Sequence, residues 1–127
     1  MPPTTLVADD HDLIRDLIDR VLRGAGYEVL LATNGEELLT LTSDRRPDLV
    51  LTDLEMPLLD GYDALRQLRA DARTTAVPLL AMSGRDDCAH LALAAGADAF
   101  LTKPFSLDWL LTLVAEHLHG VHARQPA

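Results

Sequence analysis

Apolar residues along this chain come in short, dense blocks. Leu6-Val7-Ala8, Val29-Leu30-Leu31-Ala32, Leu49-Val50-Leu51, Leu79-Leu80-Ala81-Met82 and Ala99-Phe100-Leu101 are each apolar at consecutive positions. An extended segment of that kind is apolar on both faces, which predicts strands of a parallel sheet covered on both sides. Between the blocks the spacing changes. Ile14, Leu17, Ile18 and Val21 recur at i, i+3, i+4 and i+7, one face of a helix, and Gly24 and Gly26 follow as stop signals. Asn34 with Glu37 three residues on predicts a capping box for a second helix. Asp60-Gly61 opens a third, with Leu65 and Leu68 on its inner face. Asp86 or Asp87 opens a fourth that ends near Gly96. Ser106 caps a fifth, whose inner stripe is Leu107, Leu110, Leu111, Val114 and Leu118, with Trp109 and Leu113 off the stripe.

Five strands thus alternate with five helices, in units of roughly 20–25 residues, long enough for crossovers between parallel strands. The predicted class is α/β, a doubly wound five-stranded parallel sheet. Such sheets bind ligands at the carboxyl ends of their strands, where the strand order reverses.

Those carboxyl ends carry the polar chemistry. The first strand ends in Asp9-Asp10, the third in Asp53, the fourth in Ser83, and the fifth in Lys103-Pro104. Three converging carboxylates raise each other's pKa, and a divalent cation relieves that. With oxygen ligands and no His or Cys expected beside them, the set favours Mg2+, or Mn2+, over zinc. Lys103 adds a point charge and Ser83 a hydroxyl. Together these groups can hold a phosphoryl group on one of the Asp oxygens, with Asp53 as the nucleophile.

Bulk composition narrows the field without changing this reading. The chain has 127 residues, which suits one domain, and 48% hydrophobic residues, enough for a full core. Its net charge of −9 argues against direct nucleic-acid binding. One cysteine, Cys88, permits no internal disulfide and fits a reducing, cytoplasmic setting. The first residues, MPPTTLVADD, do not read as a signal peptide, and the apolar runs fall short of a membrane span.

The ordered set of Asp9-Asp10, Asp53 within LTDLEMP, Gly61 within LLDGY, Ser83 within AMSG, Phe100, and Lys103-Pro104 within TKPF resembles the receiver domains of two-component response regulators. The resemblance runs from about Thr5 to His119, which sets a receiver domain over residues 1–120 and a short tail over 121–127. It implies a flavodoxin-like strand order, 2-1-3-4-5. It also implies that Asp53 accepts phosphate from a histidine kinase or a histidine phosphotransfer protein. Asp9, Asp10, Asp53 and the Glu55 carbonyl would bind Mg2+. Lys103 would contact the phosphoryl oxygen, Ser83 would move to bond it, and Phe100 would turn inward as Ser83 moves. The Lys103-Pro104 peptide is expected to be cis. Glu55 and Arg85, each two residues beyond a site residue, occupy the positions that govern phosphate lifetime in that family. Their opposite charges suggest a bridge that excludes water.

Plainer readings exist for single residues. One of Asp9 and Asp10 is expected to help cap the first helix. Phe100 alone would be core, and Cys88 a passive helix residue. His117, His119 and His122 read as exposed groups at a helix C-terminus. A phosphatase with an aspartyl nucleophile would carry a second Asp two residues on, where this chain has Glu55. A receiver-like domain that binds partners without phosphate usually lacks one of the acids or the lysine. The last two helices lack the paired basic residues that DNA-binding members use to dimerise, so a monomer is expected, acting on an unidentified downstream protein. The alternative is a receiver cut from a hybrid kinase or phosphorelay, passing its phosphate to a histidine phosphotransfer protein.

Overall fold

The computed structural model describes residues 2–119. Its elements run β1 (Thr4–Ala8), α1 (Asp12–Gly24), β2 (Glu28–Ala32), α2 (Gly35–Arg45), β3 (Leu49–Asp53), α3 (Gly61–Ala70), β4 (Leu79–Ser83), α4 (Ala89–Ala95), β5 (Ala99–Thr102) and α5 (Leu107–His119). A 3-10 turn over Asp86–Cys88 precedes α4. The strands form one parallel sheet in the order 2-1-3-4-5. The segment expected as a tail, with His122 in it, lies outside the described residues.

Alternation along each strand feeds two cores. Leu6, Ala8, Val50, Leu79 and Ala81 pack with Leu38, Leu65, Leu68 and Ala92 of α2, α3 and α4. Val7, Leu49, Leu51, Leu80 and Met82 pack with Ile18, Leu22, Leu110, Leu113 and Val114 of α1 and α5 on the other face. Strands apolar at every position are therefore what this sandwich requires.

Two helix stripes differ from the sequence expectation. On α1, Leu17 is 48% exposed while Leu22 is fully buried, so the inner face runs through Ile18 and Leu22. On α5, Leu113 is buried, and Leu110, Leu113 and Val114 form the inward i, i+3, i+4 set. Helical spacing alone fits either set, and packing against the neighbouring element decides between them. Trp109 is half exposed, as its place off the stripe predicts. The expected fourth helix divides into the 3-10 turn and the shorter α4.

The caps of α2 and α3 form as read. Asn34 Oδ1 accepts the Glu37 N–H at 2.9 Å, and Glu37 reaches back to the N–H and hydroxyl of Thr33. Asp60 Oδ1 accepts the Asp63 N–H at 3.0 Å. The cap of α1 differs: His11 is the N-cap residue, and neither Asp9 nor Asp10 caps the first turn. Asp9 Oδ1 instead accepts the His11 N–H at 2.9 Å, which fixes the chain as it leaves β1.

Opposite the acidic edge, Arg69 gathers three segments. Its Nε donates to Gly96 O at 2.8 Å, and Nη1 donates to Thr75 O and Val77 O. Nη2 lies 2.6 Å from Asp98 Oδ2, and that oxygen also accepts the N–H of Leu79 at 2.8 Å, at the start of β4. The end of α3 and the starts of β4 and β5 are thereby tied to one guanidinium.

Candidate functional site

The sheet's order reverses between β1 and β3, and the loops leaving β1, β3, β4 and β5 at their carboxyl ends carry the polar groups. Asp53 closes β3 at 2% exposure, and Asp9 follows β1 fully buried. The β1–β3 pairing (Ala8 beside Thr52) sets them side by side. Asp10, one residue farther out, keeps 35% of its side chain exposed.

Lys103 enters from β5. Its backbone N–H donates to Ser83 O at 2.7 Å, which docks the β5 exit against the β4 exit. The Lys103-Pro104 peptide is cis, as expected. The Lys103 ammonium then lies 2.8 Å from Asp9 Oδ2 and 3.5 Å from Asp53 Oδ1. Burial pushes the Asp53 carboxyl up to about 6, against the lowering pull of Lys103 and with a further push from Asp9. One ammonium shared between two buried carboxylates leaves an excess of negative charge.

Gly61 fixes where β3 ends. Its N–H donates to Leu54 O at 3.0 Å, and a Cβ at that position would sit 2.3 Å from Asp53 O. Only a residue without a side chain lets α3 start this close to the strand that carries Asp53. Gly35 is as tightly placed, its absent Cβ facing Leu59 O at 2.0 Å.

Ser83 is fully buried at the end of β4, where its Oγ accepts the Arg85 N–H at 3.0 Å. The same hydroxyl points at Glu55 Oε2, at a long 3.4 Å. Phe100, on β5 beside Ala81, is partly buried against the α2–α4 core. The expected bridge between Glu55 and Arg85 is not formed here. Arg85 Nε lies 3.5 Å from Asp87 Oδ1, and Glu55 faces Ser83 instead. The two side chains line one groove with Met56, Tyr62, Cys88 and Leu91 without meeting across it.

His11 is the residue the sequence reading missed. The acids were expected to have no histidine beside them, yet His11 Nδ1 lies 3.1 Å from Asp9 Oδ1 and 3.3 Å from Asp10 Oδ1. Ligand atoms of Asp9, Asp10, His11 and Asp53 all fall within 4.8 Å of one another. The histidine follows the acids directly, as Asp9-Asp10-His11, but lies beyond the strand end, where hydrophobic periodicity carries no information. Arg15 was missed as well: its Nη1 donates to Asp9 O at 2.9 Å and its Nη2 to Asp12 Oδ1 at 2.6 Å, bracing the β1–α1 loop. Among the other histidines, His119 is exposed at the end of α5, as expected, and stacks on Tyr27, while His117 is only partly exposed, with Nδ1 2.8 Å from Leu113 O.

Beside Lys103, an apolar hollow is lined by Ile14, Leu17, Ile18, Pro104, Phe105 and Leu107. Leu17, turned out of the core, lines it. No helix among the described residues is long and apolar enough to cross a membrane.

Residues 5–115 match the family described as the response regulator receiver domain. Over 113 residues, 87% of its length, the chain is 42% identical to the response regulator MprA of Mycobacterium sp. (strain KMS), of which it spans 48%. The chain thus spans about half the length of the curated relatives it matches. A response regulator from Chloroflexus aurantiacus superimposes with a TM-score of 0.90 at 35% identity, covering 94% of this chain and 99% of that one. The receiver domain of sensor histidine kinase PA1611 from Pseudomonas aeruginosa, which has a magnesium ion coordinated in its active site cleft, gives 0.87 at 28% identity, covering 94% and 99%.

Proposed function

This chain belongs to the response regulator receiver domain family of two-component signalling, and on that premise we propose that Asp53 accepts a phosphoryl group from a phosphohistidine donor. The carrying observation is the buried Asp53 carboxylate, 3.5 Å from a lysine it shares with Asp9. One Asp53 oxygen attacks phosphorus. The phosphorus–nitrogen bond to the donor imidazole breaks, its electron pair stays on nitrogen, and that nitrogen takes up a proton. Lys103 has its ammonium placed to meet the charge on the transferred phosphoryl oxygens. Ser83 Oγ, held by the Arg85 N–H, can shift from Glu55 to donate to another of those oxygens.

The donor set suits a hard divalent cation. Asp9, Asp10 and Asp53 bring three carboxylates against one lysine, and burial, with a further push from Asp9, raises the Asp53 pKa despite Lys103. Asp9, Asp10, Asp53 and the Glu55 carbonyl would hold Mg2+, or Mn2+. Bound there, the ion would neutralise phosphoryl oxygens and the attacking carboxylate. The conformational reading follows the same residues: Ser83 moves toward phosphate, Phe100 turns inward, and the α4–α5 face changes for a downstream protein. The exposed apolar hollow at Ile14, Leu17 and Phe105 supports docking of a histidine kinase or histidine phosphotransfer protein beside Lys103.

A second reading concerns the setting. It takes the chain as a receiver of a hybrid kinase or phosphorelay that hands its phosphate on to a histidine phosphotransfer protein, supported by the likeness to the receiver of a sensor kinase. Both readings use the same site, in a cytoplasmic protein. The deciding experiment is acetyl phosphate plus Mg2+ with intact-mass readout on wild type and Asp53→Asn. Wild type should gain one phosphate and the variant none. Equal labelling of the variant would overturn the assignment.

A further inference from the structure

We infer that His11 is a side-chain ligand of the divalent-cation site and sets its metal preference, shifting it from Mg2+ toward Mn2+ and Co2+. This rests on the proposed cation site and adds an imidazole to it. Two observations carry it. His11 Nδ1 lies 3.1 Å from Asp9 Oδ1 and 3.3 Å from Asp10 Oδ1, so it faces the point where the carboxylates converge. Its ligand atom also falls within the 4.8 Å cluster that includes Asp53, so one ion can touch all four side chains with small adjustments.

The backbone makes this placement reproducible. His11 is the N-cap residue of α1, and its N–H is tied to the same Asp9 oxygen at 2.9 Å. Arg15 holds the Asp9 carbonyl from behind. The imidazole is thus fixed at its root while 63% of its side chain remains exposed. As a ligand, His11 would offer the Nδ1 lone pair of the neutral imidazole, with the one ring proton on Nε2.

A mixed nitrogen and oxygen donor set has a different preference from an all-oxygen one. Imidazole adds little to Mg2+, a hard ion that keeps its waters. It adds progressively more along the series from Mn2+ to Co2+. The preference for Co2+ over Mg2+ should therefore depend on His11.

The test is calorimetric titration of the full chain with Mg2+, Mn2+ and Co2+, on wild type, His11→Ala and His11→Asn. The Asn variant keeps a cap-competent side chain that can still bond the carboxylates. Both variants should lose about tenfold in Co2+ affinity, less in Mn2+ affinity, and hardly any in Mg2+ affinity. The Co2+ form of the wild type should also show a hyperfine-shifted exchangeable imidazole proton in its NMR spectrum, absent from both variants. Unchanged Co2+ affinity in both variants, with Mg2+ still bound, would overturn the role of His11 and leave the cation site standing. No binding of any of the three ions by the wild type would overturn the cation site itself, and this inference with it.

Discussion

Lys103 Nζ is closer to Asp9, at 2.8 Å, than to Asp53, at 3.5 Å, although Asp53 is the carboxylate it would serve in phosphoryl transfer. In the unphosphorylated protein the lysine is held by its neighbour. Asp53 is left buried and undercompensated, with its pKa raised to about 6. The reactive group is destabilised by the same arrangement that activates it.

The first prediction follows from the sign of that shift. A raised pKa means the folded protein holds the Asp53 proton more tightly than the unfolded chain does. Stability is therefore fully present below the ordinary value of 3.8 and falls as pH rises through about 6. In chelated buffer at pH 7.5, Asp53→Asn should be more stable than wild type by on the order of 2 kcal/mol. That gap should narrow between pH 6 and pH 4. Denaturant melts of both proteins across this range measure it, and a gap that widens toward acid would contradict the account.

Removing Lys103 separates phosphorylation from its consequence. Lys103→Ala should still accept phosphate, more slowly, because Asp53 and the cation ligands remain. The hydrogen-exchange changes that phosphate produces between Ser83 and Leu113 should shrink, since no ammonium draws the phosphoryl group toward β5. A response as large as that of wild type would assign the coupling elsewhere.

Glu55 and Arg85 bear on how long the phosphate survives. Without phosphate, Arg85 pairs with Asp87 and Glu55 turns to Ser83, so the two side chains act separately in this state. Glu55→Ala and Arg85→Ala should each change the half-life by no more than about fivefold, the reach of an exposed contact of about 1 kcal/mol. Their effects should multiply independently in the double variant. A phosphate-release assay on all four proteins checks this. A double variant no faster than either single one would show that phosphorylation draws the pair together.

Leu58 adopts a left-handed backbone (φ 69°) while 75% exposed, so it bears a conformational penalty with almost no burial in return. Leu58→Gly should stabilise the fold by about 0.5–1 kcal/mol, the relief of strain less the added freedom of the unfolded chain. Thermal melts decide the matter, and a loss of stability would mean the Leu58 side chain makes contacts that outweigh its strain.

Gly61 should tolerate no side chain. A Cβ there meets Asp53 O at 2.3 Å and Leu54 Cα at 2.7 Å, both backbone atoms. Gly61→Ala should destabilise the protein by about 2 kcal/mol or more. It should also slow acetyl phosphate labelling, because the carboxylate moves with its strand. Labelling at the wild-type rate would show that α3 shifts rather than β3.

Much of this architecture was legible from the sequence, for a reason that also marks the limit. Strands apolar at every position have one solution, burial on both faces, so Leu49-Val50-Leu51 and Leu79-Leu80-Ala81 located the sheet unambiguously. The polar ends of those strands then located Asp53, Ser83 and Lys103. Helix faces were less determinate. Leu17 and Leu113 satisfy helical spacing on either side of a stripe, and only the neighbouring element decides which side is covered. His11 and Arg15 escaped notice because their importance lies in side-chain direction around a loop, which no periodicity encodes. Without phosphate, Glu55 and Arg85 do not meet for a related reason: opposite charge at suitable spacing says nothing of a nearer competitor, here Asp87.

The Arg69 junction gives the molecule an uneven stiffness. One guanidinium pins the end of α3 and the starts of β4 and β5. At the opposite rim Lys103 ties the β4 and β5 exits and both buried acids, but the Ser83 and Glu55 side chains meet only at a long 3.4 Å. A disturbance at Asp53 is therefore expected to show in the Ser83 and Glu55 loops while the starts of β4 and β5 stay tied. Loosening that junction would blunt the signal without touching any group that handles phosphate.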